Sequence, residues 1–176
     1  MHNLRRTRSR ECWHADHADD ADLDDEIMNL YDLSYQIRGA IFDVYNELGP
    51  GLLESVYEQA LLIELKKRGL KAENQVAFQV LYKGIDLGLQ QRLDILVNGL
   101  VVLELKSVEV LLPVHHKQLI SYLKLTHKPL GFLVNFNTDS IMQSIVRIAN
   151  DKTNPELAKR KNDLHADYAD NADIGD

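Results

Sequence analysis

Residues 92–106 read R-L-D-I-L-V-N-G-L-V-V-L-E-L-K, two apolar runs on either side of an Asn-Gly step. An Asn-Gly step between such runs predicts a β-hairpin. The second run, V-V-L-E-L-K at 101–106, places a glutamate and a lysine inside an otherwise apolar strand. Burying a charged group costs free energy unless the group is paired. The hairpin therefore raises the question of what Glu104 and Lys106 are for.

The apolar face of each strand determines the register of this hairpin. Strict alternation puts Leu93, Ile95 and Val97 on one face of the first strand. A two-residue loop would pair Val97 with Leu100 and turn core residues towards solvent. A three-residue loop, or a bulge at Gly99, brings the apolar faces of both strands together. We expect one of these two connections.

The expected register brings two carboxylates together. Asp94 and Glu104 lie opposite or diagonal to each other on one face, with Lys106 beside them. Two carboxylates about 5 Å apart repel by roughly 3 kcal/mol at an effective dielectric of about 20, so the site needs a cation. Lys106 can supply it, and so can Mg²⁺, which prefers oxygen ligands. From the hairpin alone, a half-exposed salt-bridged sheet and a functional site are equally good interpretations.

The rest of the chain predicts alternating helices and strands. Apolar residues at helical spacing indicate a first helix from about residue 33 with Asp32 as its N-cap. The further elements are a helix from about Leu52 to Arg68, strands at 76–82, 85–97 and 100–106, a helix from 113 to about 125, a strand at 131–136 and a last helix at 140–149. This order predicts an α/β domain.

Composition separates the body of the chain from its ends. Residues 1–27 and 151–176 are rich in Asp and poor in large apolar side chains, so we expect disordered acidic tails around a domain at 28–150. Both tails repeat a His-Ala-Asp pattern, which we interpret as solvated rather than metal-binding. The net charge is −7, but residues 27–161 hold 16 basic and 14 acidic residues. The body's charge therefore does not exclude a polyanionic partner.

Cysteine usage and hydropathy indicate a cytoplasmic protein. The single cysteine, Cys12, allows no internal disulfide and fits a reducing compartment. No apolar run approaches the roughly 20 residues that a membrane span needs. The arginines near the N-terminus are not followed by the apolar segment of a secretory signal. We expect no membrane contact.

Polar side chains on two predicted helices change the balance towards a functional site. Glu54 lies in the first turn of the second helix, where the helix dipole favours a carboxylate in any case. His115, Gln118 and Tyr122 share one side of a later helix, a stripe that is more commonly just solvent-facing. Chance is a weaker explanation for the combination of an acid on one helix, D…ExK on a hairpin and Gln on a following helix.

The motifs resemble a known family. The segment 49–57, G-P-G-L-L-E-S-V-Y, contains the signature of the GxxExxY protein family, which is similar to the PD-(D/E)XK nuclease superfamily. The resemblance covers about residues 33–148 and includes R-L-D-I-L-V at 92–97, E-L-K at 104–106 and H-x-x-Q-L-x-x-Y-L at 115–123. It implies a restriction-endonuclease-like α/β fold, with an α-β-β-β-α-β core and a central mixed sheet flanked by helices. Leu93 replaces the proline of the strict motif.

The resemblance also implies a set of site residues. Asp94, Glu104 and the Leu105 carbonyl would hold Mg²⁺, or Mn²⁺ as a substitute, and Glu54 would complete the site. Lys106 would orient the attacking water or stabilise negative charge, and Gln118 would position Lys106 or that water. The weaker candidates for substrate contact are Arg92, His115 and Tyr122. We expect Tyr57 to pack rather than react.

The function implied by the resemblance is Mg²⁺-dependent hydrolysis of nucleic-acid phosphodiester bonds. The expected partners are DNA or RNA and, in a homodimer, a second copy of the chain. The alternative is a catalytically silent nuclease-fold module that binds nucleic acid or a protein partner.

Overall fold

The structure, a computed structural model, describes residues 16–150 and 152–153, with side chains from Asn29 onward. The chain divides into two compact units, Met1–Tyr35 and Gln36–Asp176. Most of both predicted tails lies outside the described residues, so their disorder stays a prediction. Within the described part, no helix combines the length and the apolar composition needed to cross a bilayer.

Three helices, one short 3-10 helix and five strands make up the described fold. In chain order they are α1 (Asp16–Leu48), α2 (Glu54–Lys67), β1 (Ala72–Tyr82), β2 (Ile85–Val97), β3 (Val101–Lys106), α3 (Pro113–Thr126), β4 (Leu130–Asn135), the 3-10 helix (Ile141–Ser144) and β5 (Ile145–Ala149). The strands form one sheet in the order β1-β2-β3-β4-β5. Only β3 and β4 pair in parallel among these neighbours. The predicted α/β fold with a mixed sheet is therefore confirmed.

Two predicted elements differ from the structure. The first helix begins at Asp16, so Asp32 lies inside it and is not its N-cap. Residue 28, the predicted start of the domain, lies within α1, and the domain bounds stay a prediction. The predicted last helix at 140–149 is wrong, because β5 pairs with β4 in this segment. Its β-branched residues suit a strand, and a short apolar run does not distinguish helix from strand by periodicity.

The β2–β3 hairpin pairs as its apolar faces require. Ile95 pairs with Leu103, and Val97 pairs with Val101. Three residues, 98–100, form the connection between the paired positions, so the predicted three-residue loop is confirmed. Asn98 in this loop has a φ of +50°, a left-handed conformation that asparagine tolerates better than most residues.

Alternation along β2 is interrupted near Asp94. Leu93 belongs to the same apolar cluster as Leu96, although strict alternation puts them on opposite faces. Asp94 lies between the paired residues Leu93 and Ile95, and the corresponding position between their partners on β1 is Gln75, which has a φ of +51°. The predicted alternation therefore does not hold at Leu93. The irregularity therefore lies at Asp94, the acidic residue of β2 that the sequence predicts for the site.

Helices cover the central strands, which explains why these strands read as nearly continuous apolar runs. The buried cluster against α3 consists of Leu93, Leu96, Val102, Leu119, Leu123 and Leu133. The α2 helix packs through Tyr57, whose ring stacks on Phe136 with centroids 4.3 Å apart. Every residue of β3 except Lys106 is buried, as is every residue of β4. Strands of this kind have both faces covered.

Gly131 of β4 lies beneath α3 with no room for a side chain. A Cβ at this position would lie 2.8 Å from Leu119 Cδ1 and 3.2 Å from Leu119 Cγ. Because Leu119 is fully buried, it has no free space into which it could move. We expect Gly131→Ala to lower the free energy of unfolding by about 1–3 kcal/mol, measured by urea denaturation.

A Leu119→Ala background provides the control for this prediction. It removes the atoms that the new methyl group would meet, so Gly131→Ala should cost less there than in the wild type. Equal losses of stability in the two backgrounds would contradict the proposed steric cause.

Candidate active site

Glu104 and Lys106 form a buried ion pair at the end of β3. Lys106 Nζ donates to Glu104 Oε1 at 2.7 Å and to the Leu105 carbonyl at 2.6 Å. Glu104 is 1% exposed, and the Lys106 side chain is 13% exposed. The pair is therefore much deeper than the half-exposed salt bridge considered from the sequence. Burial of this kind is costly for both charges.

Asp94 is fixed against the same strand by a backbone hydrogen bond. The Leu105 N–H donates to Asp94 Oδ2 at 2.8 Å. The charge of Asp94 acts on Glu104 and on Lys106, which places the three groups in one electrostatic cluster. The structure therefore brings together the three hairpin residues that the sequence predicted to be neighbours.

Glu54 reaches this cluster from α2, of which it is the first residue. The loop before it is held by the Tyr57 hydroxyl, which donates to the Gly49 carbonyl at 2.7 Å and accepts from the Leu52 N–H at 3.1 Å. Ser107 Oγ donates to the Leu52 carbonyl at 2.6 Å. The Tyr57 bonds hold the loop against α2, and the Ser107 bond attaches it to the segment after β3.

Burial raises the pKa of three carboxyl groups in the cluster. Desolvation, with the charge of Asp94, raises the pKa of Glu104 to about 7 against the opposing effect of Lys106. Desolvation is also the main cause that raises the pKa of Asp94 and of Glu54. Burial lowers the pKa of Lys106, but its hydrogen bond to Glu104 and the surrounding carboxylates outweigh this effect and raise it. Burial, reinforced by the neighbouring carboxylates, thus raises these carboxyl pKa values despite the ammonium of Lys106.

Glu58 belongs to this cluster, although the sequence analysis did not include it. Its carboxylate accepts from Asn74 Nδ2 at 3.1 Å and from Gln75 Nε2 at 2.6 Å. After desolvation, its charge is one of the causes that raise the pKa of Glu54 and Asp94. The signal available in the sequence was its position four residues after Glu54, which puts both carboxylates on one helix face.

Gln118 and Tyr122, two residues of the polar stripe predicted on α3, form a hydrogen-bond chain to β2. Gln118 Nε2 donates to the Tyr122 hydroxyl at 3.1 Å, and that hydroxyl donates to Gln91 Oε1 at 3.2 Å. The Tyr122 ring also packs edge to face on Phe78. No hydrogen bond among the described side chains joins Gln118 to Lys106. The positioning role of Gln118 stays a prediction.

His115 and Arg92 have local backbone partners. His115 Nδ1 accepts from the Leu112 N–H at 3.1 Å, which satisfies an amide just before α3. Arg92 is exposed, and its guanidinium donates to the Gln75 carbonyl at 3.3 Å. Their contacts to substrate phosphate stay predictions.

The oxygen atoms of the cluster suit a hard divalent cation. Across residues 29–150, no three His, Cys, Asp or Glu side chains are already arranged as a metal site. Glu104 Oε2 is nevertheless buried without a hydrogen-bond partner, and a cation would satisfy it. Carboxylate and carbonyl oxygens are the ligands that Mg²⁺ prefers. The residues present therefore fit such an ion, with Lys106 competing for the Leu105 carbonyl.

The raised pKa of Glu104 predicts a pH dependence of stability in metal-free buffer. In the unfolded chain the carboxyl titrates near 4.5, whereas in the folded chain it titrates at about 7. Between these values the folded state binds more protons, so the free energy of unfolding should fall as pH rises. Glu104 should contribute no more than about 3 kcal/mol to this fall. Chemical denaturation across this interval, with chelator present, measures it.

Glu104→Gln removes the titrating group but keeps an oxygen that accepts a hydrogen bond from Lys106. This variant should lose most of the pH dependence, whereas Glu109→Gln, which changes an exposed carboxylate, should retain it. Stability that rises over the interval in the wild type, or a slope unchanged in Glu104→Gln, would count against the prediction.

Residues 31–148 match the model of the PD-(D/E)XK nuclease superfamily. Among solved structures, the crystal structure of SSO0001 is similar, with 27% identity and a TM-score of 0.43. That match covers 61% of this chain and 56% of SSO0001, so the chain spans little more than half of that protein. No curated protein matched.

Proposed function

This chain belongs to the PD-(D/E)XK nuclease superfamily, and we propose that it hydrolyses phosphodiester bonds of DNA or RNA with the help of a divalent cation. The observation that carries the proposal is the cluster in which the charges of Glu104, Glu54 and Asp94 act on the ammonium of Lys106. Assignment to the narrower GxxExxY family rests on the motif at 51–57 and stays a prediction.

The expected cofactor is Mg²⁺, with Mn²⁺ as a substitute. Asp94, Glu104 and the Leu105 carbonyl would hold the ion, and Glu54 would complete the site directly or through water. When bound, the ion would activate a water and offset negative charge on the phosphate. The unpartnered Glu104 Oε2 supports this assignment, since a buried oxygen without a hydrogen bond is otherwise destabilising.

Lys106 would stabilise charge on the phosphate or orient the attacking water. Glu104 and the Leu105 carbonyl fix its ammonium, and a pre-oriented donor in a site of low dielectric stabilises developing charge better than water does. The Leu105 N–H fixes Asp94 in the same way. Gln118 would position Lys106 or the water only after giving up its hydrogen bond to Tyr122. Arg92 and His115 would contact phosphate.

A silent module that only binds nucleic acid is a weaker proposal. Four acidic side chains act on one another here, namely Glu54, Glu58, Asp94 and Glu104. A surface that only binds phosphates gains affinity from Lys and Arg, whereas buried carboxylates would repel the ligand. Such a cluster of carboxylates would bind a phosphate only if a cation also bound there.

Loss of a proposed ligand should weaken metal binding. Asp94→Asn keeps the size of the side chain but removes its charge, so we expect the affinity for Mn²⁺ to fall at least about tenfold in titration calorimetry. Asp86→Asn is the matched control, because it removes a carboxylate from an exposed position on the same strand. Unchanged affinity in Asp94→Asn, or an equal loss in both variants, would exclude Asp94 as a ligand.

Lys106→Met should abolish most of the cleavage. The loss of one contact to the transition state corresponds to roughly 3 kcal/mol, so we expect a rate about 10²-fold lower under saturating Mg²⁺. Lys106→Arg should not restore it, because a planar guanidinium does not replace a compact ammonium. Single-turnover cleavage of single- and double-stranded DNA and RNA, with chelator controls, provides the measurement.

The burial of Lys106 requires a control for stability. Lys106→Met leaves Glu104 unpaired, so we expect the metal-free variant to unfold more easily and Mn²⁺ to restore part of the loss. Lys117→Met changes an exposed lysine of α3 and should cleave at the wild-type rate. A well-folded, metal-loaded Lys106→Met protein with wild-type cleavage would exclude a catalytic role for Lys106.

A further inference from the structure

The far end of the β1–β2 hairpin presents an uncovered apolar face. Tyr82 and Ile85 pair across the hairpin, so they share a face. They are 60% and 68% exposed, and Leu87 and Leu89 nearby are 48% and 59% exposed. These four residues, Tyr82, Ile85, Leu87 and Leu89, are called the hairpin patch below. Exposed apolar side chains in one contiguous group commonly mark an interaction site.

The patch continues the face of the sheet that α3 covers. Phe78 of β1 packs against Tyr122 of α3, with ring centroids 5.2 Å apart. Val80 and Tyr82 follow Phe78 at two-residue spacing and therefore lie on the same face. Between the pairs Gln79–Gln90 and Leu81–Asp86, the bulge gives β2 two more residues than β1. Because two is an even number, the residues of β2 on either side of the bulge keep the same alternation between the two faces. The apolar face thus runs along the hairpin beyond its contact with α3.

The opposite face of the same hairpin is largely polar. Gln79 pairs with Gln90 on this face, and Leu81 pairs with Asp86. An apolar face backed by a polar one is the pattern of a strand pair that is buried on one side only. The sequence of the hairpin therefore fits a ribbon whose apolar side is covered by something.

The charge of the hairpin favours its own copy over nucleic acid. Residues 74–91 contain one lysine, Lys83, and one aspartate, Asp86. A phosphate backbone is bound by several cations, which this segment lacks. In a two-fold interface each surface meets itself, so charges of one sign would repel. A segment without net charge avoids that repulsion.

We propose that the hairpin patch is a homodimer interface, which packs face to face on the same patch of a second copy. With these exposed fractions the four residues present roughly 500 Å² per copy, so complete mutual coverage would bury at most about 1,000 Å², the lower limit of specific interfaces. It would also remove a contiguous apolar surface from water. An interface at this lower limit predicts a weak dimer whose population depends on protein concentration.

Sedimentation velocity of the full chain tests the proposal. From about 1 µM to about 200 µM we expect a shift from monomer to dimer. Leu89→Lys places a charge within the patch and should weaken association at least about 100-fold. Gln90→Lys is the matched control, because it adds the same charge at the adjacent exposed position on the opposite face, and it should leave the dimer unchanged.

Hydrogen exchange provides a second measurement that does not depend on a variant. In the wild type, amides of residues 80–90 should be better protected at high than at low protein concentration. A wild type that stays monomeric over the whole range would overturn the proposal, as would equal weakening by Leu89→Lys and Gln90→Lys. Protection of 80–90 that is independent of concentration would also overturn it, because it would indicate that the chain's own ends cover the patch.

Discussion

Glu104 is a carboxylate in a strand that is buried on both faces, and the rest of the site depends on how that charge is accommodated. Removing a carboxylate from water costs several kcal/mol, and the pKa of about 7 reflects that cost. The ammonium of Lys106 offsets part of it through one oxygen, while Oε2 has no hydrogen-bond partner. A purely structural pair would leave neither oxygen unsatisfied. The geometry is better suited to receiving a further cation.

The segment around α2 explains why glycine, glutamate and tyrosine occur at three-residue spacing. Gly51 has a φ of +95°, which glycine adopts more readily than other residues. Tyr57 holds the preceding loop with its hydroxyl and stacks its ring on Phe136. Glu54 lies between these two anchors, so its carboxylate is positioned by contacts that it does not itself make. The tyrosine therefore acts by packing and positioning.

The sequence predicted those parts of the fold in which local pattern and burial agree. The register of the β2–β3 hairpin followed from its apolar faces, and with it the proximity of Asp94, Glu104 and Lys106. The strand at 145–149 was missed because its pairing with β4 is a non-local contact that local periodicity does not encode. Glu58 was missed for a related reason. Its partners, Asn74 and Gln75, lie on β1, and no residue pattern indicates the left-handed conformation of Gln75.

The irregularity at Gln75 and Asp94 lies where the hairpin leaves the sheet. In the described fold, β3 pairs with β2 only from Ile95 to Val97, so beyond Asp94 the neighbour of β2 is β1. A two-stranded ribbon is marginally stable in water unless one face is covered. The α3 helix covers it at Phe78, and the outer part carries the hairpin patch. Asp94 therefore lies where the sheet meets this ribbon. The Leu105 N–H holds its side chain, and the residues of β2 that precede it belong to the ribbon. Cover over the patch would therefore also restrain the strand that carries Asp94 into the acidic cluster.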